Sequence, residues 1–287
     1  AKANVGYSVN GFSWEPSSSG TVTSISNPMT VTNIRGNLTI TANFEAERYS
    51  MEFRLKGEPK NEDFFGFMYY DIETDVTLLG TPTLTGYTFT GWKVYVGGNY
   101  WEVGKIYNAN QHIGTGTYGY VQFMAQWKAN SYKISLNQSG GTGGVLSKTT
   151  YSTSENAQTF EVTTSSSKTG YVIDKYEIAI TGGSGEVKQS GNTFTILAGT
   201  YGDIKLTIVW KARGDLEIKY FNKVGTSVAK IGNSDKLIKT YTFGQPLDLV
   251  GATCANYTFD GWYIKQDDNF VKVGNKLTAE QTSTDAG

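Results

Sequence analysis

A short aromatic signature that recurs at a near-constant interval constrains this chain more than any other feature. Residues 86–92 read Gly-Tyr-Thr-Phe-Thr-Gly-Trp, an alternation typical of a strand with one buried face. Related stretches begin at residues 6, 170 and 256, and their tyrosines Tyr7, Tyr87, Tyr171 and Tyr257 are 80, 84 and 86 residues apart. Because it recurs, this strand is interpreted as occupying the same position in each copy of a repeated module.

Two further signatures define the rest of that module. Residues 38–46, 121–129 and 204–212 alternate apolar with polar side chains, and their terminal aromatics Phe44, Trp127 and Trp210 are spaced by 83 and 83 residues. Residues 49–55, 132–136 and 216–221 are alternating strands that open each unit. A module therefore runs from an opening strand through a glycine-containing loop, a middle segment, an aromatic strand and a variable hairpin to a closing strand.

These signatures predict four units with short connections. Residues 1–46 are the second part of a module, 47–129 a complete module, 130–212 a complete but divergent module, and 213–287 a module without its closing strand. About two to four residues join consecutive units, which favours an elongated, semi-rigid rod. The incomplete ends are explained either by a cut within a longer array or by a strand from another subunit.

Composition and charge narrow the class of protein. Gly 34, Tyr 19 and Phe 14 against only Pro 5 indicate a mainly β chain of short strands and tight turns. A formal net charge of -1 argues against nucleic acid and anionic membrane surfaces as partners, and no apolar run approaches the ~20 residues that cross a bilayer. The start lacks the pattern of a signal peptide, so we expect a mature chain or a fragment.

Residues that could support catalysis or metal binding are few. His112 is the only histidine and Cys254 the only cysteine, and we expect a solvent-facing loop histidine and no Cys-His dyad, because they lie in different modules. Asp71, Glu73 and Asp75 alternate and would share one face of an extended segment. One strand face supplies too few oxygens for calcium, so a solvated edge with Ile72 inward is favoured. We expect no catalytic residues, no metal site and no cofactor.

Two sets of surface residues are candidates for binding. Arg213, Gly214 and Asp215 form an integrin-type tripeptide at a module junction, although an ordinary turn explains so short a motif. Tyr100 and Trp101 are expected to lie exposed on a crowded hairpin, where aromatics suit sugar or protein recognition, with cross-strand pairing as the favoured interpretation. The other aromatics of that hairpin are Tyr95, Tyr118 and Tyr120. Asp267, Asp268 and Asn269 form a polar hairpin tip.

The chain resembles the Listeria-Bacteroides repeat, the internalin B-repeat-like module of bacterial surface proteins. The resemblance rests on residues 86–92 with 124–127, on 257–263, and on the opening strand and Gly-Gly turn of 132–144. It implies small β-grasp-like modules that serve as a stalk or adhesive segment, without enzymatic activity. Lys175 and Tyr176 replace the expected Gly-Trp pair, Phe12 replaces Trp, and the family's short helix has its best candidate in residues 244–250.

We therefore expect a non-enzymatic segment of an extracellular, cell-surface or secreted bacterial protein. Its partners would be neighbouring modules, with a host-cell protein, a glycan or self-association as further possibilities. The alternatives are a fibre subunit completed by strand exchange and a carbohydrate-binding accessory segment of a secreted enzyme or phage fibre. The residues expected to hold the fold are Tyr7, Phe12, Tyr87, Trp92, Trp127, Tyr171, Tyr176, Trp210, Tyr257 and Trp262.

Overall fold

The computed structural model describes residues 1–16, 20–24, 27–56, 63–98, 100–224, 227–228, 230–266 and 269–283. These residues are mainly β strands, as predicted, and Ser234–Lys236 forms a short 3-10 helix. Within these ranges no helix has the length and apolar character needed to cross a bilayer. The chain divides into two compact units, residues 1–130 and 131–287, each of which is described by itself.

Residues 1–46 of the first unit form two antiparallel pairs of strands. The long pair joins β1 to β4, with a register shift between Val9 and Phe12, and the short pair joins β2 to β3. Phe12 lies opposite Ala42, directly after this bulge. The four strands are β1 (Tyr7–Glu15), β2 (Thr21–Ser24), β3 (Thr30–Thr32) and β4 (Thr39–Ala46).

Residues 47–129 form a five-stranded mixed sheet in the order β6-β5-β11-β8-β9, and β7 pairs with β10 in a separate ribbon. The opening strand β5 and the closing strand β11 are parallel neighbours in the middle, while the other pairs of the sheet are antiparallel. The strands are β5 (Tyr49–Arg54), β6 (Phe64–Tyr70), β7 (Val76–Thr77), β8 (Tyr87–Val96), β9 (Ile106–Tyr107), β10 (His112–Ile113) and β11 (Val121–Ala129).

Aromatic rings fill the core of this sheet on one face. Phe53 stacks on Phe123 with ring centroids 5.1 Å apart, and its edge meets Trp92 at 5.0 Å. All three side chains are fully buried. Because a parallel pair places Phe53 opposite Phe123, the sequence alternation of both strands converges on one cluster.

Residues 131–212 of the second unit repeat this order. Their mixed sheet runs β14-β12-β19-β16, again with the opening and closing strands parallel in the middle, and a second sheet runs β13-β15-β18-β17. The core lies between them around Phe160, Phe194 and Leu206. The strands are β12 (Ser131–Asn137), β13 (Val145–Leu146), β14 (Thr150–Ser152), β15 (Gln158–Thr164), β16 (Tyr171–Ser184), β17 (Val187–Ser190), β18 (Thr193–Ile196) and β19 (Tyr201–Ala212).

The register of the two mixed sheets explains the divergent signature. In each sheet the aromatic strand has two register shifts, and the core position just after the first holds Trp92 opposite Ala125 or Tyr176 opposite Ile208. Tyr176 is buried among the core residues of its sheet, so an aromatic ring is kept at this position, as expected. Lys175 occupies the register position of Gly91.

The described part of residues 213–283 forms four short antiparallel pairs of strands joined by turns, with less burial. The ring centroids of Trp262 and Tyr220 lie 4.7 Å apart. Within the described residues β20 pairs with β23, and β25 pairs with β26. The predicted helix at 244–250 is wrong, because Gly244 turns with φ 70 and Leu247–Asp248 is a strand. The strands are β20 (Leu216–Glu217), β21 (Lys223–Val224), β22 (Ser227–Val228), β23 (Thr240–Tyr241), β24 (Leu247–Asp248), β25 (Trp262–Gln266), β26 (Asn269–Gly274) and β27 (Lys276–Leu277).

Candidate functional site

The same backbone hydrogen bond closes the aromatic strand of three units. In each case the N–H of the residue after the closing strand donates to the carbonyl of the glycine before the signature tyrosine. The bonds join Glu47 to Gly6 at 2.8 Å, Asn130 to Gly86 at 2.9 Å and Arg213 to Gly170 at 2.9 Å. Each glycine has a positive φ, between 75 and 82, which places its carbonyl for the bond at little steric cost.

Two of these glycines also lie under an apolar side chain of the next module in the chain. Ile72 packs on Gly6, and a Cβ added to Gly6 would come within 2.7 Å of the Ile72 side chain. Phe243 packs on Gly170, and a Cβ added to Gly170 would come within 2.2 Å of the Phe243 ring. The Phe243 ring also meets the edge of Tyr171 at 5.4 Å. Because a side chain has no room there, glycine is required for both contacts.

The acidic segment 71–75 is a turn, so the prediction of an extended segment is wrong. The Asp71 carboxylate accepts hydrogen bonds from the backbone N–H of Glu73 at 3.0 Å and from the Thr74 hydroxyl at 2.5 Å. Such bonds stabilise a tight turn and direct Asp71 back toward its own backbone. Within the described residues no group of three His, Cys, Asp or Glu side chains is placed to share a metal ion.

The integrin-type tripeptide is closed on itself. Arg213 donates two hydrogen bonds of 3.1 Å to the Asp215 carboxylate, one from Nε and one from a terminal nitrogen. These bonds lower the pKa of Asp215 and raise the pKa of Arg213. Both groups are exposed, so the pair is weak and can open, but in this arrangement the two charges face each other rather than a partner.

An open groove of about 550 Å³ lies beside this turn. Lys168, Tyr171, Trp210 and Arg213 are among its lining residues. The Lys168 ammonium lies 4.5 Å from the centroid of the Tyr171 ring, and the Trp210 indole donates to the Gln138 carbonyl at 2.8 Å. Lys168 and Arg213 make the groove cationic. The Lys168 ammonium and the Trp210 indole are, however, already engaged with neighbouring residues.

Trp101 is buried, so the prediction that it lies exposed on the hairpin is wrong. Only 1% of the residue is exposed, and its Nε1 donates to the Tyr70 hydroxyl at 2.7 Å. Tyr70 in turn donates to the carbonyl of Gly119. Tyr100 is 46% exposed, and Tyr95 and Tyr120 are exposed too. A carbohydrate site built on Trp101 therefore has no accessible ring.

The residues considered for catalysis form no recognisable arrangement. His112 is exposed as expected, but it lies in the short strand β10 rather than in a loop, 3.8 Å from the Asp75 carboxylate. Cys254 is a half-buried free thiol. Asp267 and Asp268 of the predicted polar hairpin tip lie outside the described residues.

One exposed surface was not predicted from the sequence. Phe64, Phe67 and Tyr69 of β6 project from the outer face of the five-stranded sheet and are 45%, 55% and 53% exposed. The signal that would have found them is composition, since residues 64–70 contain five aromatics in seven positions. The repeat pattern does not mark these residues, because the other modules have no counterpart of them.

Comparisons with protein-family models, with curated proteins and with solved structures return no match for this chain. The assignment of a function therefore depends on the sequence repeat and on the geometry above.

Proposed function

We propose that this chain is a non-enzymatic segment of an extracellular bacterial surface protein, built from tandem modules of about 83 residues arranged as an elongated rod. The modules would belong with the Listeria-Bacteroides repeat, which the signature of residues 86–92 and 257–263 resembles. The role is mechanical: the rod projects a binding region from the cell or takes part in attachment.

The strand order of the two mixed sheets supports β-grasp-like modules. Each sheet places an edge strand, β6 or β14, beside the opening strand, then the closing strand, then the aromatic strand, with the two middle strands parallel. A parallel pair between the first and the last strand requires a long connection, which the middle segment and the variable hairpin supply. Finding this order twice in one chain favours a duplicated module.

The observation that carries the proposal is the repeated backbone bond at the end of each closing strand. Glu47, Asn130 and Arg213 are each 83 residues apart and make the same bond to a glycine carbonyl. A bond so close to the start of the next unit shortens the free connection to very few residues. Short connections limit reorientation, which is the property that a stalk needs.

Attachment would use the exposed parts of the modules. The turn of Arg213 to Asp215 is the candidate for a host-cell protein, provided that its internal ion pair opens on binding. Tyr100 remains a candidate for a glycan or protein contact, without Trp101. No nucleic acid or membrane insertion is part of the proposal.

Small-angle scattering of the full chain tests the rod. We expect a pair-distance distribution with a long tail, and a shorter mean end-to-end distance after a flexible Gly-Ser insertion between Ala129 and Asn130. A compact, symmetric distribution for the unmodified chain would contradict the rod. Adhesion of beads coated with the chain, compared with an Asp215→Ala coating, tests the attachment role separately.

A second candidate is a fibre subunit completed by strand exchange. Among the described residues no strand pairs with both β20 and β25, whereas β11 pairs with β5 and β8, and β19 pairs with β12 and β16. A synthetic peptide of residues 204–212 should then bind the chain and raise its melting temperature. A peptide of the same composition in scrambled order is the control, and equal effects of both peptides would count against this candidate.

A further inference from the structure

The aromatic residues on the outer face of β6 are not required by the fold. The equivalent edge of the other mixed sheet is β14, which has only three residues, and its exposed positions are Thr150 and Ser152. Both sheets keep the same strand order and a buried tyrosine on this strand, Tyr70 or Tyr151. The exposed rings of β6 are therefore an addition of one module, and the main apolar patch of a protein surface is often functional.

β6 is also an unprotected edge. It pairs with β5 on one side, and no other described strand pairs with its opposite side. Proteins usually protect such an edge by making it short, or by placing charged residues or proline in it. β6 has seven residues and none of these is charged or proline. No described strand takes up its outward N–H and C=O groups, which is the arrangement that a further strand can pair with.

We propose that β6 pairs antiparallel with β6 of a second copy of this chain, joining two five-stranded sheets into one. A two-fold axis through the middle residue, Phe67, makes the pairing antiparallel and brings the two Phe67 side chains together. An uncharged strand opposite its own copy meets no like charge within the strand. This inference does not depend on the role of the chain as a surface stalk.

The chemistry of the stripe favours a second copy over a sugar. The rings of Phe67 and Tyr69 are at 80° to each other, and those of Phe64 and Phe67 at 40°, so they offer no flat platform for a pyranose. The Arg48 guanidinium already covers one face of Tyr69, 4.0 Å from its centroid. Rings presented edge to face suit packing against other aromatic rings.

The size of the stripe predicts a weak dimer. With about 200 Å² for each ring and about half of it exposed, Phe64, Phe67 and Tyr69 present about 300 Å² on each copy. Two copies bring together about 600 Å² of aromatic surface, below the roughly 1,200 Å² of a stable interface. We therefore expect association that depends on concentration.

Sedimentation velocity of the full chain tests the proposal directly. Between about 1 µM and about 200 µM, the range in which a weak interface should titrate, the mean mass should rise from one copy toward two. Phe67→Lys places two ammonium groups together at the axis and should abolish the rise. Tyr95→Lys, at a residue of similar exposure on β8, is the matched control and should leave the rise unchanged.

A cross-link tests the geometry. In a Cys254→Ser background, Phe67→Cys should form an intermolecular disulfide readily, and Tyr95→Cys should not. Equal melting temperatures of the Phe67→Lys and unmodified chains would show that folding is intact, as expected for a residue that is 55% exposed. A monomer at every concentration, a dimer that survives Phe67→Lys, or absence of the Phe67→Cys cross-link would each overturn the proposal. So would a monomer whose binding to a glycan or another protein is lost in Phe67→Lys.

Discussion

The Nε1 of Trp127 donates a hydrogen bond of 3.0 Å to the carbonyl of Leu55, 72 residues earlier in the chain. In the second unit, Trp210 makes the same bond to the carbonyl of Gln138 at 2.8 Å, again across 72 residues. Each bond ties the end of the closing strand to the backbone just after the opening strand. The terminal aromatic of the closing strand is therefore a polar clamp as well as an apolar ring.

Trp127→Phe should destabilise the chain by about 1 kcal/mol, because the part-buried carbonyl of Leu55 loses its donor while most ring contacts remain. Trp14→Phe is the control, since the buried Nε1 of Trp14 has no hydrogen-bond partner among the described residues. Urea unfolding measures both variants. An equal loss in the two would show that the clamp contributes nothing specific.

Trp92→Ala should unfold the module of residues 47–129. Trp92 is fully buried against Phe53, Phe65 and Phe89, and removing such a ring typically costs about 3–5 kcal/mol. Hydrogen exchange followed by mass spectrometry should show loss of protection in β5 and β11. Trp262→Ala, at a half-buried residue, should have a smaller effect on its own strands. An unchanged melting transition of Trp92→Ala would mean that this ring is not central to the core.

Gly91→Ala should destabilise the same module by about 1–3 kcal/mol, the usual range for a residue forced into an unfavourable backbone conformation. Gly91 has φ 145, and an added Cβ would come within 2.5 Å of the Ile106 side chain and 3.0 Å of the Tyr107 carbonyl. Gly98→Ala is the control, because open space surrounds that position. Thermal unfolding compares the two, and a similar small loss in both would argue against strain at the bulge.

The chain should lose stability in alkali between about pH 10 and pH 12. Burial raises the pKa of Tyr70 and of Tyr151 to about 12 from the ordinary value of 10.0. The unfolded chain releases these protons first, so their contribution is complete below pH 10 and disappears as the pH rises through the folded-state pKa. Melting temperature as a function of pH measures the effect.

Tyr151→Phe should flatten that alkaline slope, although it costs about 1 kcal/mol at neutral pH through the lost bond to the Gly202 carbonyl. Tyr257→Phe removes a hydroxyl from a residue that is 58% exposed and serves as the control. If Tyr151→Phe kept the full slope, the alkaline loss would have to come from other groups.

Positions that recur were the ones that could be predicted from the sequence. The alternation of the aromatic strand and its spacing gave the β class, and the structure places Trp92 and Tyr176 at equivalent register positions. A residue type that returns at a constant interval indicates a position that is constrained by packing in each module, so recurrence identifies core positions.

Positions that occur once were harder to predict, for different physical reasons. Tyr100 and Trp101 are adjacent in a turn, where no period of two tells which ring faces inward. In the structure Trp101 packs on Tyr107 and Phe123 and donates to the Tyr70 hydroxyl. The alternating carboxylates from Asp71 suggested a strand, yet the Asp71 carboxylate accepts a hydrogen bond from the backbone N–H of Glu73, which favours a turn. The exposed rings of β6 could not be predicted from the repeat, because no other module has them.

The bond between residues such as Arg213 and Gly170 uses main-chain atoms at both ends, so the identity of the donor side chain is irrelevant to it. Glu47, Asn130 and Arg213 serve equally well at the donor position. A duplication or deletion that spans one whole period would therefore keep this backbone bond whatever residue other than proline stands at the donor position. The side chains that pack on the glycine, Ile72 on Gly6 and Phe243 on Gly170, differ from one junction to the next.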